Sequence, residues 1–168
     1  MPRAYSVGAA GATLANQAVT LSFVNPGAGG AAGQPGGFEV LRAWAGQSAN
    51  ATSAQQRVQL NTQVTAFPTL TSSAPTKLTF GDPASGITGG TAGAAGTCGV
   101  NASAEGAGTK TTVFGDAFNV LNGYLWVPTP REVLRIGAGA ASGVGLHLPV
   151  APATLTNWVW GLNFEELG

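Results

Sequence analysis

The sequence predicts an all-β chain, an antiparallel β-sandwich of jelly-roll type with long Gly/Ala-rich loops. Three observations carry that expectation. Apolar residues recur at every second position in several separate segments, the period of a half-buried strand. No segment keeps a helical period for twelve residues or more. The composition favours strands and turns, since Gly is 26 of 168 residues, Thr, Val, Ser, Asn and Gln abound, and only 8% of residues are charged against about 25% in ordinary proteins. A chain of 168 residues suits one domain, 1–168, with a sizeable core.

Taken in order, the apolar stretches AYSVGAA and ATLANQAVTLSFV come first, with Val19, Leu21 and Phe23 alternating with Thr20 and Ser22 before Asn25-Pro26 stops the strand. Residues 26–37 hold six glycines in twelve and predict a mobile loop. In FEVLRAWAGQ, Phe38, Val40, Arg42 and Trp44 fall on one face and Glu39, Leu41, Ala43 and Ala45 on the other, as in a central strand. The cleanest alternation is AQQRVQLNTQVTAF, where Val58, Leu60, Thr62 and Val64 point one way and Arg57, Gln59, Asn61 and Gln63 the other. That outward ladder is either a solvated sheet face or a face against another protein. Residues 67–80 are broken by Pro68 and Pro75 and end in the edge-type segment KLTF.

Residues 81–108 carry nine glycines in twenty-eight and almost no large side chain. An extended loop at about 81–110 is expected, an arm able to span roughly 90 Å and cross onto a neighbouring subunit. Beyond it, Thr111–Val120 and Tyr124–Val127 read as two strands joined around Asn122-Gly123, a strong hairpin signal. EVLRI (132–136) and VGLHLPV (144–150) follow as strands, with GAGAASG a flexible turn between them. In the closing LTNWVWGLNFEE, Trp158, Trp160, Leu162 and Phe164 form one heavy aromatic face, each side chain worth about 2–3 kcal/mol when buried. This strand must seal a sheet that the earlier chain has built.

Seven basic and seven acidic residues give zero net charge, so no basic patch exists to neutralise phosphates and nucleic acid is not expected as a partner. A surface so poor in charge is weakly protected against association, which points to faces lying against other subunits. The single cysteine, Cys98, allows no intrachain disulfide. MPRAYSVGAAG has no signal-peptide apolar region and no run approaches the 18 apolar residues of a membrane span, so no membrane partner is expected.

The chain offers little for chemistry, and no catalytic, cofactor-binding or metal-binding residue is assigned. One histidine, His147, and one cysteine do not make a four-ligand zinc site. No GxSxG, Walker or dinucleotide-binding motif occurs. Glu165 and Glu166 are adjacent and point to opposite faces of a strand. A hydrolase would need a pocket gathering distant groups such as Asp116, Glu132 and His147. Asn50-Ala-Thr and Asn101-Ala-Ser match the glycosylation pattern by chance in a chain this rich in Asn, Ser and Thr. Trp44, Tyr124, Trp126, Trp158 and Trp160 would serve either as core or as a sugar-binding platform, with core the expected use.

The order of motifs FEVLRAWAGQSANATSAQQRVQLNTQ, PTKLTFGDPAS, FGDAFNVLNGYLWVPTPREVLRIGAG and WGLNFEELG resembles small structural proteins of tailed bacteriophages, over most of residues 37–168. The resemblance implies a non-enzymatic virion component, a head decoration or cement protein. Such a protein is made in the host bacterial cytoplasm and sits on the capsid surface. Its partners would be the major capsid protein and copies of itself, as a homotrimer or other homo-oligomer. No cofactor and no catalytic residues come with it. A tail, neck or fibre-associated protein with a receptor- or glycan-binding face is the alternative.

Overall fold

The period-two segments become strands of two sheets packed on each other. The computed structural model describes residues 3–15, 19–27, 35–49, 52–139 and 142–167. Residues 28–34, most of the loop expected at 26–37, lie outside these, as do Asn50 and residues 140–141 of GAGAASG. Among the described residues there are thirteen strands and no helix. They are β1 (Arg3–Ala12), β2 (Val19–Val24), β3 (Gly37–Gln47), β4 (Gln55–Val64), β5 (Thr69–Ser72), β6 (Thr76–Lys77) and β7 (Thr88–Gly89). The second half adds β8 (Thr97–Ala104), β9 (Thr109–Asn119), β10 (Tyr124–Trp126), β11 (Leu134–Gly137), β12 (Ser142–Leu148) and β13 (Trp158–Glu166).

The first sheet runs β10-β3-β13-β1-β6, with β11 pairing the same edge of β3 further along. The second runs β5-β8-β2-β12-β4-β9. All pairings are antiparallel except that of short β7 with β8. The two inner faces meet in one core that contains Tyr5, Val7, Phe38, Val40, Leu60, Val144, Leu146 and Leu148. Ser22 donates from its hydroxyl to the carbonyl of Val7 at 3.2 Å, so this buried hydroxyl is satisfied. In β13 the face Trp158, Trp160, Leu162 and Phe164 is at most 1% exposed, and Phe164 packs between Tyr5 and Phe38 at ring separations of 5.8 and 5.4 Å. The strand closes the first sheet between β1 and β3, as its alternation predicts.

Bulges interrupt the alternation at several pairings. Between Asn163 and Phe164 the register with β3 jumps from Arg42 to Val40, leaving Leu41 as the extra residue. Phe38 and Val40 therefore share the core with Ala43 and Ala45, while Arg42 and Trp44 turn to the outer face, against expectation. On β4, Val58 and Leu60 face inward as expected, but Val64 is 41% exposed and Asn61 and Gln63 are buried on the outer face. Another bulge lies on β2 at Leu21, where the register with β12 jumps from Ser22 to Thr20.

The expected arm over 81–110 is in part sheet. β7, all of β8 and the start of β9 fall within it, and β8 lies between β5 and β2. Small side chains and a glycine-rich surround hid this strand from a reading by side-chain period, and close backbone approach helps hold it. A Cβ on Gly99 would lie 2.7 Å from the Thr71 carbonyl oxygen and 2.8 Å from that of Gly90. Asn122-Gly123 also departs from expectation. It makes a turn on Asn119, but β9 pairs with β4 and β10 with β3, so the segment crosses between sheets rather than closing a hairpin. Phe118 and Tyr124, 5.7 Å apart, hold that crossing.

Gly8 lies opposite Gly161 where β1 meets β13. A Cβ on Gly8 would sit 2.3 Å from the Trp160 carbonyl oxygen and 2.7 Å from Gly161 Cα, both backbone atoms with no room to yield. Gly8→Ala is expected to lower the unfolding free energy by about 1–3 kcal/mol, measured as a shift of the denaturant midpoint.

Candidate interaction surface

The groups that a hydrolase would have to gather are dispersed. Asp116 lines a shallow depression with Arg57 and Gln59. Glu132 lines a different cleft, beside Trp126 and Val133. His147 lies on the outer face of the second sheet, 7% exposed and so buried rather than presented. Among the described residues no three His, Cys, Asp or Glu side chains gather as metal ligands would. Cys98 is fully buried and donates its thiol to the Ser73 carbonyl at 3.0 Å; burial pushes the thiol up to about 12.

His147 belongs to a polar cluster that the sequence did not announce. Glu105, at the turn from β8 into β9, accepts from the Thr20 backbone N–H at 2.6 Å and from the Thr20 hydroxyl at 2.8 Å. It also pairs with Lys110. His147 Nδ1 stands 3.3 Å from Glu105 Oε2 and 3.4 Å from Thr20 Oγ1. A nucleophile relay needs the acid on one ring nitrogen and the hydroxyl on the other, whereas here both meet Nδ1. Burial holds the imidazole below its ordinary 6.5 and Lys110 adds to this, while the Glu105 carboxylate opposes it. The arrangement locks the β8–β9 turn onto β2 and β12. Its one advance signal was that Glu105 is the only acid between Asp82 and Asp116.

The apolar side chains that water reaches include groups at three places. On the outer face of the first sheet, Trp44 is half-buried against Gly161, with the exposed Arg42 guanidinium 4.8 Å from its ring centroid and Leu125 opposite it on β10 at 64% exposure. At the edge where β9 and β10 adjoin, a cleft of about 330 Å³ is lined by Leu60, Val113, Phe114, Trp126, Val133 and Leu134, with Glu132 its one charged group. Phe114 and Trp126 meet there at 5.8 Å. At the opposite edge, past β6, Leu78 is 48% exposed and Phe80 entirely so.

The loop bearing Phe80 is fastened along its length. Leu78 donates to Ala4 on β1 at 3.0 Å, Asp82 to Thr79 at 3.1 Å, and the Tyr5 hydroxyl to Pro83 at 3.2 Å. Glu166 accepts from the Ser85 hydroxyl, the Gly86 N–H at 2.9 Å and the Ile87 N–H at 3.3 Å. Glu166, in the C-terminal FEE segment, is thus engaged within its own chain. Of the aromatic residues considered as a sugar platform, Trp158 and Trp160 are core, Tyr124 and Trp126 are nearly so, and Trp44 alone lies on an outer face. Asn101 uses its side chain to bind Thr13 and Ala15, at 2.9 Å each.

No protein-family model, no curated protein and no solved structure matches the chain.

Proposed function

We propose that the chain is a structural protein of a tailed-bacteriophage virion, a head decoration (cement) protein that binds the capsid exterior and stabilises the lattice by non-covalent contacts. In this reading it acts without catalysis or cofactor, and its partners are the major capsid protein and copies of itself. The observation that carries it is the surface. Large apolar side chains stand exposed at separate edges of a rigid sandwich with only seven basic and seven acidic residues. Exposed apolar groups of this kind mark association, and a charge-poor rim lowers the desolvation penalty of docking. The motif order over residues 37–168 points the same way.

The proposed architecture is a jelly roll. Its support is the strand order, β1-β13-β3-β10 in one sheet and β2-β12-β4-β9 in the other, the pairing of an eight-strand double Greek key. In this description β5 to β8 form an insertion between the fourth and fifth strands. Because β8 lies inside the second sheet, removing 84–108 would test folding rather than docking.

A cleaner experiment adds purified protein to phage capsids that lack it. The expected result is lattice-periodic density on the capsid faces and a capsid melting point raised by several degrees, with Leu125→Lys reducing occupancy about tenfold or more. Density at the tail or neck, or no binding, would overturn the capsid reading. The Arg42–Trp44 stack favours one second reading, a tail or fibre protein that binds glycan through this face. Sugar binding that disappears in Trp44→Ala would establish it.

A further inference from the structure

We infer that Phe80 of one copy seats in the cleft between β9 and the 132–134 segment of a second copy, making a head-to-tail contact between like chains. The inference rests on the interaction-module reading above and names one of its partners. Phe80 is the only large apolar side chain among the described residues that is wholly exposed. The bonds at Leu78, Asp82, Pro83 and Ser85 fasten the loop backbone that carries it, so little backbone ordering remains to oppose docking. A preorganised aromatic that enters an apolar pocket is the usual form of an interface hot spot.

The cleft has the matching character. Its volume of about 330 Å³ is at the low end of the range for ligand pockets, about 300–1,000 Å³, which suits a single side chain better than a larger molecule. Val113 and Phe114 on its wall are 49% and 39% exposed, so the pocket is open to a visitor. The charges around the two sites are complementary. Lys77 lies shortly before Phe80 in the chain, while Glu132 stands at the cleft. Lys77 of one chain can therefore meet Glu132 of the next.

Phe80 cannot fill the cleft of its own chain. It follows β6, one edge of the first sheet, whereas the cleft adjoins β10 and β11 at the other edge. Four strand spacings separate those edges, about 19 Å at about 4.8 Å each. A knob and a hole at opposite edges make a heterologous contact, which generates a ring where its rotation closes and an open chain where it does not.

The test is sedimentation velocity on the full chain over a range of micromolar concentrations. Wild type is expected to self-associate, and Phe80→Ser to weaken this by about tenfold or more. Val113→Glu, which places a charge in the cleft, should do the same. Mixed in equal amounts, the two variants retain one intact knob and one intact hole, so they should form a 1:1 dimer and nothing larger. A second pair keeps the test independent of any misfolding of the cleft variant: Lys77→Glu and Glu132→Lys should each weaken association and partly restore it when mixed. A wild-type chain that stays monomeric, a Phe80→Ser chain that associates unchanged, or a mixture without the dimer each overturns the inference. These measurements contain no capsid, so their failure leaves the capsid reading to be judged by occupancy alone.

Discussion

Trp158→Ala is expected to remove about 3–5 kcal/mol of stability, a large part of the roughly 5–15 kcal/mol that holds a domain folded. The indole is 0% exposed, and its N–H donates to the Thr154 carbonyl at 2.8 Å. Its ring meets Phe118 edge-on at 6.5 Å. Phe118 sits on β9 of the second sheet and Trp158 on β13 of the first, so this contact ties the two layers together. Truncation removes the contact, leaves the Thr154 carbonyl without that donor and opens a cavity that the flanking strands cannot collapse to fill. The denaturant midpoint should fall with little change in the slope of unfolding free energy against denaturant. Trp44→Ala is the matched control. That ring lies half-buried on the outer face under Arg42, and its loss should cost about 1 kcal/mol. Equal losses from the two substitutions would contradict the inward and outward assignment of these rings.

The contrast between those tryptophans shows what alternation reveals and where it stops. Trp158 was legible as core because β13 keeps its period from Trp158 to Phe164 on the core face. Trp44 was not, because the extra residue Leu41 reverses the faces of β3 beyond it. A one-residue bulge leaves no trace in composition, since both faces of β3 are apolar. Asn61 and Gln63 were hidden for a different reason. Their polarity suggested an outward ladder, and they do face outward, yet they are buried. Gln63 donates to the carbonyls of Ala66 and Glu105, at 3.0 and 3.1 Å, from loops that fold across the sheet. Such covering depends on contacts distant in sequence.

The glycine-rich stretch 81–108 caused the largest misreading. β8 itself holds one glycine, Gly99, but its alternating Cys98, Val100 and Ala102 are too small to stand out as a hydrophobic period among the glycines on either side, so it looked like part of an arm. What places it is backbone pairing with β2 and β5, together with Cys98, Val100 and Ala102 buried beneath it. The Asn122-Gly123 turn was legible as a turn, but turn chemistry does not state whether the flanking strands pair. Phe80 shows the opposite failure. It was visible only as part of the short edge segment KLTF, and its full exposure follows from a loop held down on either side of it.

Glu105→Gln carries the second large effect, expected both at neutral pH and in the acid range. Replacing the carboxylate takes the ionic partner from Lys110 and weakens both bonds from Thr20. Hydrogen bonds to charged groups contribute about 1.5–3 kcal/mol each, but Lys110 keeps some access to water, so a loss of about 2–3 kcal/mol is expected at pH 7. His147 then sets the pH dependence. Its folded value lies below 6.5 because burial disfavours the cation, so the unfolded chain takes up the proton first as pH falls. The stability that depends on neutral His147 is therefore present above about pH 6.5 and is lost on acidification towards the lower folded value. Glu105 opposes the depression, and Lys110 reinforces it. With Gln in place of Glu, the imidazole is held lower still, so the acid loss should deepen and extend to lower pH. Its slope is limited to about 1.4 kcal/mol per pH unit for one proton. His147→Asn should instead flatten the profile between about pH 5 and 7. Unfolding free energies of the three proteins, measured in denaturant from about pH 5 to 8, separate these outcomes. Parallel profiles for wild type and His147→Asn would mean that acid sensitivity arises elsewhere. A shallower acid loss in Glu105→Gln would mean that the carboxylate does not favour the imidazolium it faces.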